Sequence, residues 1–419
     1  ASGQELEAVD AAGKRLLSQV ISADPGTERT KLQVIVNGVP SLGYAVIHVA
    51  SVAHATPVTS GLKVDGTTIE NQFLRVKVDP KTGCVTSLVS KSDNKETVAP
   101  GGCGNLLQTF VDLPPIQDAW EIKFDAKSWD LTQPEEVRVV ESGPERVVLR
   151  IKNKFQNSDF VRDIIVHADV PRVDVNMKVN WHEQHILLKV GFPVNAQAAK
   201  ATFEIPYGTI ERPTTRNTPA EQAQFEVPAQ RWGDISDASR GFSLLNASKY
   251  GYDAKGNVIR LSLLRSPNMP APDGRFADQG YHEFTYALYP HSGDWKTGGT
   301  MRQGYELNYP LLPVEVQPHA GSWPQKRSFA AVEPDNVIVT ALKKAEDSDD
   351  LIFRFYEFEG KPTDVKLHLP EAATSATETS LMEKHEKTLN LPHSGRELSI
   401  PTGPYEIKTV AVSFPSFQN

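Results

Sequence analysis

The alternation of apolar and polar side chains along residues 172–181 constrains the fold more than any other feature of this sequence. Apolar residues occupy every second position, namely Val173, Val175, Met177, Val179 and Trp181. Successive side chains of a β-strand point to opposite faces of its sheet, so this segment is a strand with one buried face and one polar face. The same alternation recurs through much of the chain from Lys31 onward.

Short turns connect the predicted strands. In the segment Asp79-Pro80-Lys81-Thr82-Gly83, the proline presets its φ angle and the glycine accepts a positive φ, as a tight turn requires. Hardly any helical periodicity separates such segments, which favours antiparallel sandwiches over alternating β/α units. We therefore predict a mainly β protein with a large antiparallel β-sandwich and a smaller C-terminal β-sandwich.

One amphipathic helix is predicted at the start of the chain, over residues 4–21. Its apolar residues gather on one face at helical spacing, and they are Leu6, Val9, Leu16, Leu17 and Val20. Pro25 and Gly26 end the helix. A lone helix needs a partner for its apolar face, so we interpret it as the last helix of a three-helix bundle.

These patterns divide the chain into four units. We predict the helix over residues 1–22, a short β segment over 23–60, a large β-sandwich over 61–312 and a small C-terminal β-sandwich over 313–419. The last boundary is set by the proline-rich passage Tyr309-Pro310-Leu311-Leu312-Pro313, which is followed by further prolines at positions 318 and 324.

Composition argues against several classes of partner. The 419 residues carry a formal net charge of -8, and a mildly acidic surface repels phosphate backbones, so we expect no nucleic acid. No apolar run approaches the roughly 20 residues that cross a bilayer, so we expect no membrane partner. For the two cysteines, Cys84 and Cys103, we predict buried, reduced thiols and hence a cytoplasmic location. A single bridge between them is the alternative.

The segment His182-Glu183-Gln184-His185 is similar to the HExxH motif of zinc proteases but is one residue short. The alternation that precedes it places it on a strand, where positions i and i+3 point to opposite faces. We therefore interpret it as a polar strand end beside a buried Trp181. We predict no metal ion and no other cofactor in this chain.

The richest polar region spans residues 204–278 and combines arginines with aromatic and amide side chains. Arginine donors and aromatic faces are what sugar hydroxyls and sugar rings contact in binding sites. The candidate residues are Arg212, Arg216, Asn217, Arg231, Trp232, Arg265 and Asp278. Ion pairs that stabilise loops explain the same pattern equally well, and the sequence singles out no catalytic carboxylate.

A series of short segments between about residue 65 and about residue 310 matches a known family in order. The segments include ENQFLRV (70–76), DPKTGCVTSL (79–88), GNLLQ (104–108), DAWEI (118–122), YGTIERP (207–213), NASKYGYD (246–253) and LLRSP (263–267). Together they resemble the C-terminal, β-rich half of glycoside hydrolase family 38 α-mannosidases. The resemblance implies that the large sandwich is a galactose mutarotase-like supersandwich.

The resemblance also implies a retaining exo-glycosidase that releases mannose from α-mannosides, with a zinc ion that grips vicinal hydroxyls of the sugar. In the family, the nucleophile, the acid/base and the zinc ligands come from an N-terminal barrel, and no segment here matches their motifs. We therefore expect this chain to pack on a missing N-terminal catalytic domain, to border the α-mannoside glycan with the seven candidates above, and to be inert alone.

Two other functions stay open from the sequence. A free-standing carbohydrate-binding module would use exposed aromatic platforms such as Trp232 or Trp295. An independent sugar-active enzyme on the same fold would need a facing His acid and Glu base, and the sequence offers no such pair. A homo-oligomer is also compatible with the sequence.

Overall fold

A computed structural model gives the fold of residues 5–24, 26–27, 29–56, 58–124, 127–270 and 274–415. Strands dominate these residues, and two short helices occur among them. The strands before residue 60 are β1 (Glu5–Asp10), β2 (Ser18–Asp24), β3 (Arg29–Val34), β4 (Gly43–Ala45) and β5 (Ile47–Val52).

The main sandwich follows. Its strands up to residue 170 are β6 (Lys63–Asp65), β7 (Thr68–Glu70), β8 (Leu74–Val78), β9 (Val85–Ser90), β10 (Lys95–Glu96), β11 (Leu106–Val111), β12 (Ser128–Asp130), β13 (Glu136–Ser142), β14 (Arg146–Phe155) and β15 (Ser158–His167). Its later elements are β16 (Val173–Trp181), β17 (Ile186–Pro193), β18 (Lys200–Ile205), β19 (Gly208–Pro213), α1 (Pro219–Gln222), β20 (Val227–Pro228), β21 (Trp232–Ser236), β22 (Arg240–Asn246), β23 (Gly251–Lys255), β24 (Val258–Arg265), β25 (Gly280–Ser292) and α2 (Thr300–Asn308).

The C-terminal region contains the remaining strands. They are β26 (Lys326–Ser328), β27 (Ala331–Glu333), β28 (Val337–Lys344), β29 (Leu351–Glu357), β30 (Thr363–His368), β31 (Ser375–Thr379), β32 (His385–Thr388), β33 (Glu397–Thr402) and β34 (Ile407–Ser413).

Two large antiparallel sheets build the main sandwich. One has nine strands in the order β13-β14-β15-β16-β25-β22-β21-β18-β19, and the other has six in the order β12-β11-β17-β24-β23-β20. A five-stranded sheet, β10-β9-β8-β7-β6, contributes side chains to the same core. The predicted mainly β fold of antiparallel sandwiches is thereby confirmed.

Strand β16 lies in the middle of the nine-stranded sheet, between β15 and β25. The five apolar side chains that predicted it are each 0% exposed, whereas the intervening residues are half-buried or exposed. Burying each such side chain contributes about 1.5–3 kcal/mol relative to leaving it in water. The predicted turn after β8 is also confirmed, since Gly83 has a φ of 70° and the Asp79 carboxylate accepts from the backbone N–H of Lys81.

The C-terminal sandwich packs the sheet β27-β30-β33 against the sheet β28-β29-β34-β31-β32 around a separate core. An aromatic cluster joins it to the main sandwich. In this cluster the rings of Trp232 and Trp295 lie 5.1 Å apart, and Phe358 of the C-terminal sandwich lies 6.5 Å from Trp295. Residues 309–325 connect the two sandwiches and contain neither helix nor strand.

The predicted N-terminal helix is wrong, and the interpretation of residues 1–22 as part of a helical bundle is wrong with it. Residues 1–4 lie outside the described part of the chain, but β1 pairs with β5 and β2 pairs with β3. A turn separates β1 from β2. Gly13 has a φ of 79° there, and Asp10 Oδ1 accepts from the backbone N–H groups of Ala12 and Lys14. Apolar spacing over two short segments fits a helix or a strand. The pairing of β1 with the distant β5, and of β2 with the following β3, decided for strands.

The prediction of reduced cysteines is also wrong, because Cys84 and Cys103 form a disulfide. The residues that follow each cysteine, Val85 and Gly104, pair as an isolated β-bridge, and this brings the two thiols together. The cytoplasmic location predicted from free thiols loses that support. No helix in the described part of the chain is long and apolar enough to cross a membrane.

We predict that the Cys84→Ser, Cys103→Ser double variant unfolds more easily than the parent. The disulfide closes a loop with a sequence separation of 19. Removing a bridge of that span should lower the free energy of unfolding by about 2–4 kcal/mol. Denaturant unfolding under non-reducing conditions measures this change, and reduction of the parent should reproduce it. Equal stability of the parent and the variant would refute the prediction.

Candidate active-site pocket

A pocket of about 460 Å³ opens at one end of the six-stranded sheet. Its walls come from the loop between β11 and β12, from the turn between β16 and β17, and from the residues that follow β24. Strands β11, β17 and β24 are antiparallel neighbours, so the end of β11, the start of β17 and the end of β24 meet at one edge. We call this the Trp120 pocket, and its lining includes Leu113, Gln117, Asp118, Trp120, His185, Asn268 and Met269.

Arg265, the last residue of β24, holds the loop of this pocket in place. Its Nε donates to the Asp112 carboxylate at 2.5 Å, and its Nη groups donate to the backbone carbonyls of Asp118, Ala119 and Glu121. The Asp112 side chain is 0% exposed, and a buried carboxylate is tolerated only when it is paired and hydrogen-bonded. Arg265 therefore acts on the pocket through the loop.

Asp118 ties the loop to the other two walls. Its Oδ2 accepts from the backbone N–H of Asn268 at 2.7 Å and lies 3.2 Å from Nδ1 of His185. The ring of Phe276 meets the His185 ring edge-on, with 5.0 Å between the centroids. His185 Nδ1 is buried although 31% of the side chain is exposed, so Nε2 is the ring nitrogen that can meet a ligand.

Three residues around the pocket have left-handed backbone conformations that non-glycine residues rarely adopt. Gln117 has a φ of 52°, His185 of 52° and Asp278 of 55°. Asp278 is held there by its carboxylate, which accepts from the backbone N–H of Arg265 at 3.1 Å. Each such residue costs on the order of 1–3 kcal/mol, and such strain concentrates at functional sites.

The rim of the pocket is unusually apolar for a surface loop. Leu113 is 57% exposed, Ile116 63% and Trp120 70%, and Met269 on the opposite side is 37% exposed. Contiguous exposed apolar side chains mark binding surfaces, and ligand pockets combine apolar walls with a few fixed polar groups. The Trp120 pocket has both properties.

A second cavity of about 230 Å³ lies farther along the six-stranded sheet, and Phe124, near the other end of the same loop, lines it. Phe124 packs there against Phe225 and over the buried ammonium group of Lys189. Lys189 pairs with Glu226, whose side chain is 11% exposed, and with the buried Asp253. Burial raises the pKa of the Glu226 carboxyl. At Asp253 burial acts in the same direction, but Lys189 and Arg260 together outweigh it and the pKa is lowered.

Of three further predicted site residues, Arg216 lines this second cavity, whereas Asn217 and Arg212 are not among its lining residues. Arg216 donates to four backbone carbonyls, two of them those of Gln224 and Ala254 at 2.9 Å, so it holds the segment before and after α1. Asn217 is exposed, and its backbone N–H donates to Glu221. Arg212 lies over the Phe203 ring at 5.0 Å, and burial lowers the pKa of its guanidinium.

Two further predicted residues belong to the interface between the sandwiches. Trp232 is 0% exposed within the aromatic cluster that joins them. Arg231 pairs with the buried Glu204 at 2.7 Å and lies over the Tyr305 ring at 4.0 Å. Burial alone would lower the pKa of Arg231, but the charge and hydrogen bond of Glu204 together with the nearby Tyr305 and Tyr309 raise it overall.

Of the seven predicted residues, the structure thus brings Arg265 and Asp278 together at the Trp120 pocket and places the other five elsewhere. Their role at a pocket edge stays a prediction. Sequence reasoning missed Asp112, Asp118, Trp120 and His185. The DAWEI segment that carried part of the resemblance contains two of them, and this was the available signal.

The histidines of the HExxH-like segment face different partners. His182 Nε2 lies 3.0 Å from Asn180 Oδ1, whereas His185 lies in the Trp120 pocket. Glu183 is buried and accepts from the hydroxyl of Ser158 at 2.7 Å. Within the described residues, no three His, Cys, Asp or Glu side chains converge in a way that could hold a metal ion.

Family models match two parts of the chain. The glycosyl hydrolases family 38 C-terminal domain matches residues 69–273, and the family 38 C-terminal beta sandwich domain matches residues 336–410. The chain belongs to glycosyl hydrolase family 38. It represents the C-terminal part of that family, and the Trp120 pocket lies within the first matched range.

Curated relatives and solved structures are similar to this family 38 chain over most of its length. Alpha-mannosidase 2C1 of Mus musculus is 35% identical over 91% of the chain, and Alpha-mannosidase G of Dictyostelium discoideum is 35% identical over 81%. The chain spans only 37% and 32% of these relatives. An alpha-mannosidase from Enterococcus faecalis V583 has the same fold, with a TM-score of 0.80 at 15% identity, over 99% of this chain and 51% of that one.

We predict that Arg265→Ala destabilises this family 38 chain, because it leaves Asp112 buried and unpaired. The free energy of unfolding should fall by about 3–5 kcal/mol, as measured by denaturant unfolding. Arg138→Ala is the matched control, since Arg138 is 61% exposed and its pair with Glu136 should contribute at most about 1 kcal/mol.

A double variant at Arg265 and Asp112 separates the loss of the ion pair from other effects of the Arg265→Ala substitution on stability. Removing Asp112 together with Arg265 should recover part of the lost stability, because no charge is then left buried alone. Equal losses for Arg265→Ala and Arg138→Ala, or a double variant that loses the sum of the two single changes, would contradict the assignment.

Proposed function

We propose that this chain is the C-terminal portion of a retaining α-mannosidase that hydrolyses terminal α-mannosides in glycans. These relatives are named α-mannosidases, and the chain spans 32–37% of their length. The observation that carries the proposal is the Trp120 pocket, in which a buried ion pair, backbone strain and an apolar rim coincide. In this proposal the pocket borders the sugar, and the rest of the longer protein supplies the reacting groups.

The contribution of this chain is orientation of the substrate. Contacts with parts of a substrate that do not react can hold it in a reactive geometry, and small displacements of such contacts are costly. The pair of Arg265 with Asp112 fixes the start of the pocket loop, and Phe124 fixes its far end. Arg265 is therefore a positioning residue in this proposal, and Asp278 supports it through the backbone.

Zinc, which the family resemblance implies for the whole enzyme, does not fit this chain. Catalytic zinc takes three protein ligands from His, Cys, Asp or Glu, and no such group of three forms within the described ranges. Both cysteines are consumed by the disulfide. We accordingly assign no nucleophile, acid/base or metal ligand to this chain and propose that it is inert without its N-terminal partner.

A free-standing carbohydrate-binding module is the second candidate, and the exposed ring of Trp120 favours it. The platforms expected from the sequence are wrong, because Trp232 and Trp295 are 0% and 6% exposed and lie in the interface between the sandwiches. This candidate predicts glycan affinity without any dependence of function on a second protein segment.

Hydrolysis of a chromogenic α-mannoside by the purified chain, with and without added zinc, tests whether the reacting groups lie outside this chain. We expect no turnover above the buffer rate in either condition, because in this proposal the reacting carboxylates belong to the rest of the longer protein. The full-length protein assayed in parallel should hydrolyse the same substrate. Zinc-dependent turnover by the 419-residue chain would place the site within it, and no hydrolysis by the full-length protein would favour the binding module.

A further inference from the structure

We infer that the Trp120 pocket is a sugar-binding subsite in its own right, with the Trp120 indole as the stacking platform for one pyranose ring of an α-mannoside and His185 Nε2 and Gln117 as its polar contacts. The inference rests on the proposed function and deepens it. It means that the glycan is bound partly by this chain and partly by the rest of the longer protein, so that the first contribution can be measured on this chain alone.

The platform follows from the exposure and support of Trp120. The side chain is 70% exposed, yet its backbone is fixed, since its N–H donates to the Gln117 carbonyl at 2.8 Å and the preceding carbonyl accepts from Arg265. A rigid, exposed indole offers a flat apolar face at a small loss of side-chain freedom. The C–H face of a pyranose ring is the ligand surface that complements it.

The polar contacts come from the residues held in the left-handed region. Asp118 Oδ2 faces His185 Nδ1 at 3.2 Å, which leaves His185 Nε2 for a hydroxyl group. The exposed Gln117 lines the same pocket and can both donate to and accept from sugar hydroxyls. The left-handed backbone at Gln117 and His185 sets the directions in which their side chains leave the chain.

The ligand class follows from the size and charge of the pocket. Its volume of about 460 Å³ lies within the range of small-molecule sites and leaves room for at least one sugar ring. Among the described residues, Asp118 carries the only carboxylate in the lining, and no Lys or Arg lines the pocket. Asp118 Oδ2 accepts from the backbone N–H of Asn268 and lies 3.2 Å from His185 Nδ1. A neutral sugar therefore fits it better than a phosphate or an acidic peptide.

Binding of methyl α-mannoside to the 419-residue chain, followed by saturation-transfer NMR and calorimetry, tests the inference. We expect a dissociation constant on the order of 1 mM. Mannitol carries comparable hydroxyl groups but lacks a ring and therefore a flat apolar face, so it should not bind at the same concentration.

Variants locate the binding. Trp120→Ala should weaken it by roughly ten-fold or more, whereas Trp120→Phe keeps an aromatic face and should stay within about three-fold of the parent. His185→Asn tolerates the left-handed backbone but removes Nε2, and should weaken binding by about three-fold or more. Trp323→Ala is the matched control, because Trp323 is 60% exposed but stacks on Tyr44 and is not among the lining residues of the pocket. It should leave binding unchanged.

The outcomes separate this inference from the proposed function. If the full-length protein hydrolyses α-mannosides but this chain binds no methyl α-mannoside, the subsite is refuted and the proposed function stands. If Trp120→Ala instead weakens only the association of the chain with its N-terminal partner, the apolar rim is an interface and the subsite is likewise refuted. Mannoside binding that Trp120→Ala abolishes supports the subsite even if no hydrolysis is found.

Discussion

The fold depends on strand β16, which cannot lie at the edge of a sheet. Its apolar side chains are fully buried, and its backbone groups must be satisfied by strands on both sides. The neighbours β15 and β25 supply these hydrogen bonds, and β25 is joined to β22 and through it to β21. Satisfying β16 therefore fixes the middle of the nine-stranded sheet, where β15 and β25 flank it.

The Trp120 pocket is a consequence of how the six-stranded sheet ends. Strands β11, β17 and β24 bring three distant parts of the chain to one edge, and the loop after β11 is anchored there. The anchor is the pair of Arg265 with buried Asp112, together with Phe124 over Lys189 at the far end. Buried ion pairs add little net stability, but removing one partner is costly, so they fix a geometry. A fixed loop is what a binding surface requires.

The interface between the two sandwiches explains why sequence reasoning placed Arg231 and Trp232 at a sugar site. A guanidinium beside aromatic rings serves sugar recognition and domain packing equally well, because both use planar donors and apolar faces. Here Arg231 lies over Tyr305 and Trp232 lies against Trp295, between the sandwiches. Composition could not distinguish these uses, since the difference lies in what covers the rings.

The sequence by itself determined the features that depend on neighbouring residues. The strand over 173–181, the turn at Asp79–Gly83 and the sandwich class follow from side-chain alternation and from turn chemistry, both of which are local. Tertiary structure decided the rest. Glu5–Asp10 and Ser18–Asp24 are strands because β5 and β3 pair with them, and Cys84 meets Cys103 because Val85 pairs with Gly104. The pocket joins Asp118, His185 and Asn268, whose positions in the chain lie too far apart for any local pattern to show that they meet.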